Sequence, residues 1–142
     1  MAVDTPASLL DAALQGRTCR VTRRDFDWSF DFGDRHHIAV SVPWRVVTAD
    51  GIAHGNKDDG HSFGLPEPVD GEERTNALLL KQEVVTVALD PQTADLRVTF
   101  DGRTRLDIFN SSAGYEGWQA YIPAEERELT IVALGGGGLT TF

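Results

Sequence analysis

Leu96–Trp118, LRVTFDGRTRLDIFNSSAGYEGW, is the stretch that decides the fold. Leu96, Val98 and Phe100 alternate with polar residues, and Leu106 and Ile108 alternate after them, which is the period of half-buried strands. Asp101-Gly102 marks a tight turn between the two runs, and a small-residue loop leads to a third strand near Trp118. A plain two-residue loop would pair Arg97 with Leu106 and send apolar side chains to opposite faces. An odd-numbered loop, or a bulge beside Gly102, pairs Leu96 with Ile108 and Val98 with Leu106 instead. A slip of one residue turns every side chain over, so the odd loop is expected.

Further strands follow on both sides. Arg17–Arg24 is a plausible first strand, with Cys19 and Val21 facing one way. Over Asp25–Gly33, Phe26, Trp28, Phe30 and Phe32 alternate with Asp25, Asp27, Ser29 and Asp31. This reads as an antiparallel strand with an aromatic inner face and an acidic wet face. Burying each aromatic contributes roughly 2–3 kcal/mol, so Phe30→Ala is expected to be among the damaging changes. His37–Val47 alternates as one strand, at an edge or bent at Pro43, which has no amide hydrogen. Glu83–Leu89 is apolar on both faces and is expected to be central; Glu128–Leu134 is the last clear strand, and Leu139–Phe142 a terminal one.

A helix is expected over about 5–15, with Thr5 as its cap, Pro6 in its first turn and Gly16 at its exit. A second, short helix is expected over Arg74–Lys81. From 54 to 71 the periodicity vanishes among glycines, prolines and acids, the mark of a mobile or functional loop. The expected architecture is α+β in a single domain, 1–142. It has a strongly curved antiparallel sheet, or a partly closed roll, of about eight strands with an N-terminal helix and one short helix.

The chain of 142 residues is long enough to bury its own core, and its 41% hydrophobic and 25% charged fractions are ordinary for a globular domain. Its net charge of −9 repels phosphate backbones, so no nucleic-acid partner is expected. The basic groups at Arg17–Arg24 and at Arg103 and Arg105 stand beside Asp25, Asp27, Asp101 and Asp107. No apolar run approaches the roughly 18 residues that cross a bilayer, and the N-terminus lacks a secretory pattern; a cytoplasmic protein without a membrane partner is expected. Cys19 is alone and reads as a small core residue.

The sequence holds little recognisable chemistry. His36 and His37 are adjacent and would point to opposite faces of a strand, while His54, Asp58 and His61 match no zinc or calcium spacing. Ser111-Ser112-Ala113-Gly114 is no nucleophile elbow, and Gly135–Gly138 lacks the lysine of a phosphate loop and reads as a turn or close backbone packing. No catalytic residue, cofactor or metal is expected. Glu116 and Trp118 would share one face of a strand. If that face is open they form a recognition patch; if it is closed, Trp118 is core.

Phe100-Asp101-Gly102, then Tyr115-Glu116-Gly117-Trp118, then Gly135–Gly138 resemble the C-terminal part of a family of small uncharacterised bacterial proteins. Those proteins carry a Tyr-Glu-x-Trp element followed by Gly-Gly. The resemblance implies a β-rich fold and no known activity. Some small acidic proteins of this style neutralise secreted toxins, which is an analogy of form. The leading expectation is a non-enzymatic protein-binding module, with Asp25, Asp27 and Asp31 among its candidate contacts; one version is of immunity type and docks an acidic face on a basic protein partner. One alternative is a small-molecule binder or enzyme with a pocket near Glu116 and Trp118. Another is a self-associating homodimer.

Overall fold

The computed structural model describes residues 5–142. Two helices, α1 (Pro6–Leu14) and α2 (Gly71–Leu79), accompany eleven strands. These are β1 (Arg20–Arg23), β2 (Trp28–Asp31), β3 (His37–Val40), β4 (Trp44–Thr48), β5 (Gly51–Gly55), β6 (Val84–Leu89), β7 (Leu96–Phe100), β8 (Arg105–Ile108), β9 (Trp118–Pro123), β10 (Glu128–Ala133) and β11 (Leu139–Thr141). They form two open antiparallel sheets, ordered β1-β2-β3-β9-β10-β11 and β5-β4-β8-β7-β6. The α+β class holds, but the single curved sheet or roll of about eight strands is replaced by two unclosed sheets that share one core.

The switch between sheets explains the difference. Ile38, Val40, Val42, Trp44 and Val46 alternate without a break, yet β3 belongs to one sheet and β4 to the other. The chain changes sheet at Ser41-Val42-Pro43, where the proline cannot donate to a ladder. All five apolar side chains remain buried because both sheets face the same interior. Alternation reports which way a side chain points; it does not report which sheet its strand has joined.

The β7–β8 hairpin has the expected register, with Leu96 opposite Ile108 and Val98 opposite Leu106. Phe100 N–H donates to Thr104 O at 2.8 Å, leaving Asp101-Gly102-Arg103 as a three-residue loop. Its left-handed residue is Arg103, at φ 61°, rather than the glycine.

Expected and observed structure part in four places. β2 begins at Trp28, so Phe26 lies in the preceding turn, outside the inner face that holds the fully buried Phe30 and Phe32. β5 and a single 3-10 turn at Asn56–Asp58 occupy part of the stretch read as a loop. The rest of that stretch closes on itself through Gly60 N–H to Val69 O and Val69 N–H to His61 O, both 2.8 Å. α2 starts at Gly71, three residues early, because Asp70 caps it and the Asp59 carboxylate accepts from Gly71 N–H at 2.8 Å. β6 is an edge strand, not a central one; a bulge between Val84 and Thr86 leaves Val85 exposed.

Two sheet edges are covered by neighbouring parts of the chain, one by side chains and the other mainly by backbone. Asn76 of α2 accepts from Val21 N–H at 2.7 Å and donates to Val21 O at 2.8 Å, and Glu72 accepts from Arg23 N–H at 2.9 Å, along the outer side of β1. At β6, Gly16 and Arg17 pair with both backbone groups of Val84, and Asp11 accepts from Val87 N–H at 2.6 Å. Such pairing blunts edges that would otherwise recruit another strand. α1 carries the expected Thr5 cap, made reciprocal by Ser8, with Pro6 in its first turn.

Candidate functional site

The β1–β2 hairpin, the Ser41–Pro43 crossing and residues 56–61 converge on an open groove of about 540 Å³. The hairpin is short: Arg23 pairs with Trp28, and Arg24 N–H donates to Asp27 O at 2.9 Å. Asp25 and Phe26 are therefore the two turn residues, and neither has the positive φ that matches the twist of paired strands. The Arg24 guanidinium grips both oxygens of Asp27, at 2.6 and 2.7 Å, across this turn. At the base, Arg23 holds both oxygens of Asp59 at 2.8 Å and reaches Asp70 at 3.0 Å, with its guanidinium 5.4 Å from the Trp28 ring centre. The Arg23 hydrogen bond, helped by Gly71 N–H against the cost of burial, holds the Asp59 carboxyl below the usual carboxylate range. The hairpin is thus tied to the start of α2.

At its tip Phe26 is 96% exposed. Half-buried Trp28 lies below it and makes an edge-on contact with Trp44, their ring centres 5.1 Å apart. Most charges in the groove neutralise one another. With Asp27 committed to Arg24 and Asp59 to Arg23, the Asp25 carboxylate and the Lys57 ammonium keep no ion-pair partner among the described residues.

Asp25 and Asp27 are the only expected contact residues the structure brings together. Asp31 lies farther along β2, opposite Arg20 and His37, and accepts from Gly33 N–H at 2.8 Å. Glu116 is exposed on the bend before β9, where it accepts from Gln119 at 3.0 Å. Trp118 is buried and its indole N–H donates to Ala94 O at 2.8 Å, so it belongs to the core and shares no open face with Glu116. Cys19 is also buried; burial, with Asp31 nearby, pushes its thiol up and leaves it unreactive. Among the described residues no three His, Cys, Asp or Glu side chains cluster as a metal site, and no helix is long and apolar enough to cross a membrane.

Near the groove is a buried histidine that matches no metal spacing in the sequence. His54 is buried against Trp44, with ring centres 5.7 Å apart. Its Nδ1 is 4.0 Å from Asp58, beyond hydrogen-bond reach, and neither ring nitrogen has a hydrogen-bond partner among the described residues. Burial lowers the imidazole pKa, with Asp58 opposing and Arg74 reinforcing the shift. The unfolded chain takes up this proton near pH 6.5, the folded chain only at lower pH. Between those two values the unfolded state binds more protons, so stability is fully present above about pH 6.5 and falls as pH drops below it. Each unit of lowering corresponds to about 1.4 kcal/mol. Urea midpoints measured between about pH 5 and 8 are expected to fall toward acid in the wild type and to fall less in His54→Gln. Parallel curves for the two proteins would show that another group sets the slope.

Fold and site together define a two-sheet antiparallel α+β domain that presents an aromatic, ion-paired hairpin at one end of its core. By a match across residues 10–142, the chain belongs to a family of unknown function, DUF6188. No curated protein and no solved structure matches it.

Proposed function

We propose that this protein is a non-enzymatic binding module that docks the β1–β2 hairpin tip and its groove on a basic protein partner. One observation carries the reading: a phenylalanine almost wholly in solvent, held on a turn clamped by ion pairs and flanked by a free carboxylate at Asp25. Exposing such a ring costs free energy in the isolated chain, and aromatic anchors of this kind dominate binding when a partner encloses them. Net charge −9 supports long-range attraction of a basic partner. The pocket reading at Glu116 and Trp118 loses its aromatic member to the core.

The test is retention of a partner from the native cell by wild type and by Phe26→Ala, over a salt series. Phe26 packs on little, so the variant is expected to fold with unchanged stability, within about 0.5 kcal/mol. A partner held at low salt, released as salt rises, and bound at least about tenfold more weakly by the variant supports the proposal. A partner retained equally by both proteins, or none at low salt, overturns it. Sedimentation across a dilution series separates a foreign partner from a second copy of the chain.

A further inference from the structure

The outer face of the five-stranded sheet carries a charge cluster unlike the rest of the molecule. Asp107 sits on β8, the central strand, with its side chain only 4% exposed. Arg45 on β4 and Arg97 on β7 lie directly opposite it on the two neighbouring strands, and Arg105 precedes it by two residues on the same face. The Nε–H groups of Arg45, Arg97 and Arg105 donate to its oxygens at 3.0, 3.1 and 3.3 Å. Burial pushes the Asp107 carboxyl up, but these arginines outweigh it and hold the pKa below the ordinary range.

One arginine would satisfy a buried carboxylate; three leave an excess. Three positive charges against one negative make +2, so the rest of this −9 chain carries −11. Among the described residues the terminal amino groups of all three guanidiniums make no hydrogen bond to protein, and their side chains are 35–54% exposed. At the ends of the same cross-strand row are Ala88 and Gly55, too small to cover them. The Phe109 ring lies under Arg45, 5.1 Å from its guanidinium carbon. Beside Arg97 and Asp107 a cavity of about 450 Å³ opens, with Leu89, Pro91 and Phe109 as its apolar walls. Asp90 and Asp95, also in that wall, point an oxygen each at backbone amides of Gln92, Thr93 and Asn110.

We propose that this face binds a small phosphate monoester, its phosphoryl group on the free edges of Arg45, Arg97 and Arg105 and its apolar body against Leu89, Pro91 and Phe109. A phosphate monoester carries about −1.5 to −2 at pH 7 and matches the +2 of the arginine–Asp107 cluster itself; Asp90 and Asp95 on the adjoining wall bring cluster and wall together to zero, so the arginine forks rather than net charge hold the phosphoryl group. Arginine forks suit phosphoryl oxygens in bidentate geometry. Size fits as well, since the cavity is within the roughly 300–1,000 Å³ of small-molecule sites. A long polyanion would lie over the surrounding acidic surface, whereas a small anion stays within one Debye length, about 8 Å, of the arginines. Asp90 and Asp95 turn the charged end away from their wall and toward the arginines.

The experiment titrates the full chain with phenyl phosphate, inorganic phosphate and benzoate, followed by amide and arginine Nε–H chemical shifts. The proposal expects saturable shifts centred on residues 97, 105, 107 and 109, with phenyl phosphate binding more tightly than either other probe. Arg97→Gln leaves Asp107 two arginines, so it keeps its fold, and it is expected to weaken phenyl phosphate about tenfold or more. Phe26→Ala is expected to leave this binding unchanged, which separates it from the hairpin proposal. Linear shifts without saturation, benzoate bound as tightly as phenyl phosphate, or unchanged affinity in Arg97→Gln overturns it.

Discussion

Trp44→Ala is expected to destabilise the fold by about 3–5 kcal/mol, enough to unfold much of the population of a marginally stable domain. Trp44 opens β4 just after the chain changes sheets, and it is 1% exposed. Its ring meets Trp28 and Phe30 edge-on, each at 5.1 Å, and leans on His54. Contacts of this geometry add roughly 0.5–1.5 kcal/mol each beyond area. The indole Nε1 has no hydrogen-bond partner among the described residues, so Trp44→Phe removes volume but no bond. It is expected to cost far less than alanine. Urea titration of both variants is the measurement; a loss below about 1 kcal/mol for Trp44→Ala would show that the core is organised around other residues.

Gly137→Ala is the second large effect, expected at about 2–5 kcal/mol from strain and overpacking together. Gly137 has φ +105°, and a methyl there would overlap the Gln92 carbonyl oxygen, which belongs to backbone and cannot swing away. Gly138 supplies the control: its φ is ordinary, and a methyl would meet only Leu134 Cδ1 at 3.7 Å. Gly138→Ala is therefore expected to change stability by less than about 1 kcal/mol. Equal midpoints for the two variants would mean that the β10–β11 loop yields freely. The glycine run is thus close backbone packing: its loop lies against the 92–93 turn, and Gly136 N–H donates to Ser112 O at 2.8 Å.

What the sequence disclosed followed from local alternation. The β7–β8 register was legible because only the odd loop keeps Leu96, Val98, Leu106 and Ile108 on one face. α1 was legible from its cap. β5, Gly-Ile-Ala-His-Gly, was hidden because Ile52 faces solvent and the inward residue is a histidine. Apolar content on both faces of β6 suggested a covered strand, but there Val85 is exposed beside a bulge. Phe26 continued an aromatic alternation past the last paired residues of a hairpin, where alternation no longer dictates direction. The arginine cluster had a readable half. Placing Leu96 opposite Ile108 also places Arg97 opposite Asp107. Arg45 could not be added, because its contact with Asp107 spans 62 residues and depends on which sheet β4 joins.

The side-chain amide of Asn76 bonds to Val21 as a neighbouring backbone would. A borrowed peptide group of this kind terminates the six-stranded sheet without lending it another strand to template. Lifting α2 away would uncover the Val21 and Arg23 amides on the outer side of β1. An unpaired outer edge of this kind is what cross-β growth needs, and in the folded chain the Asn76 amide occupies it.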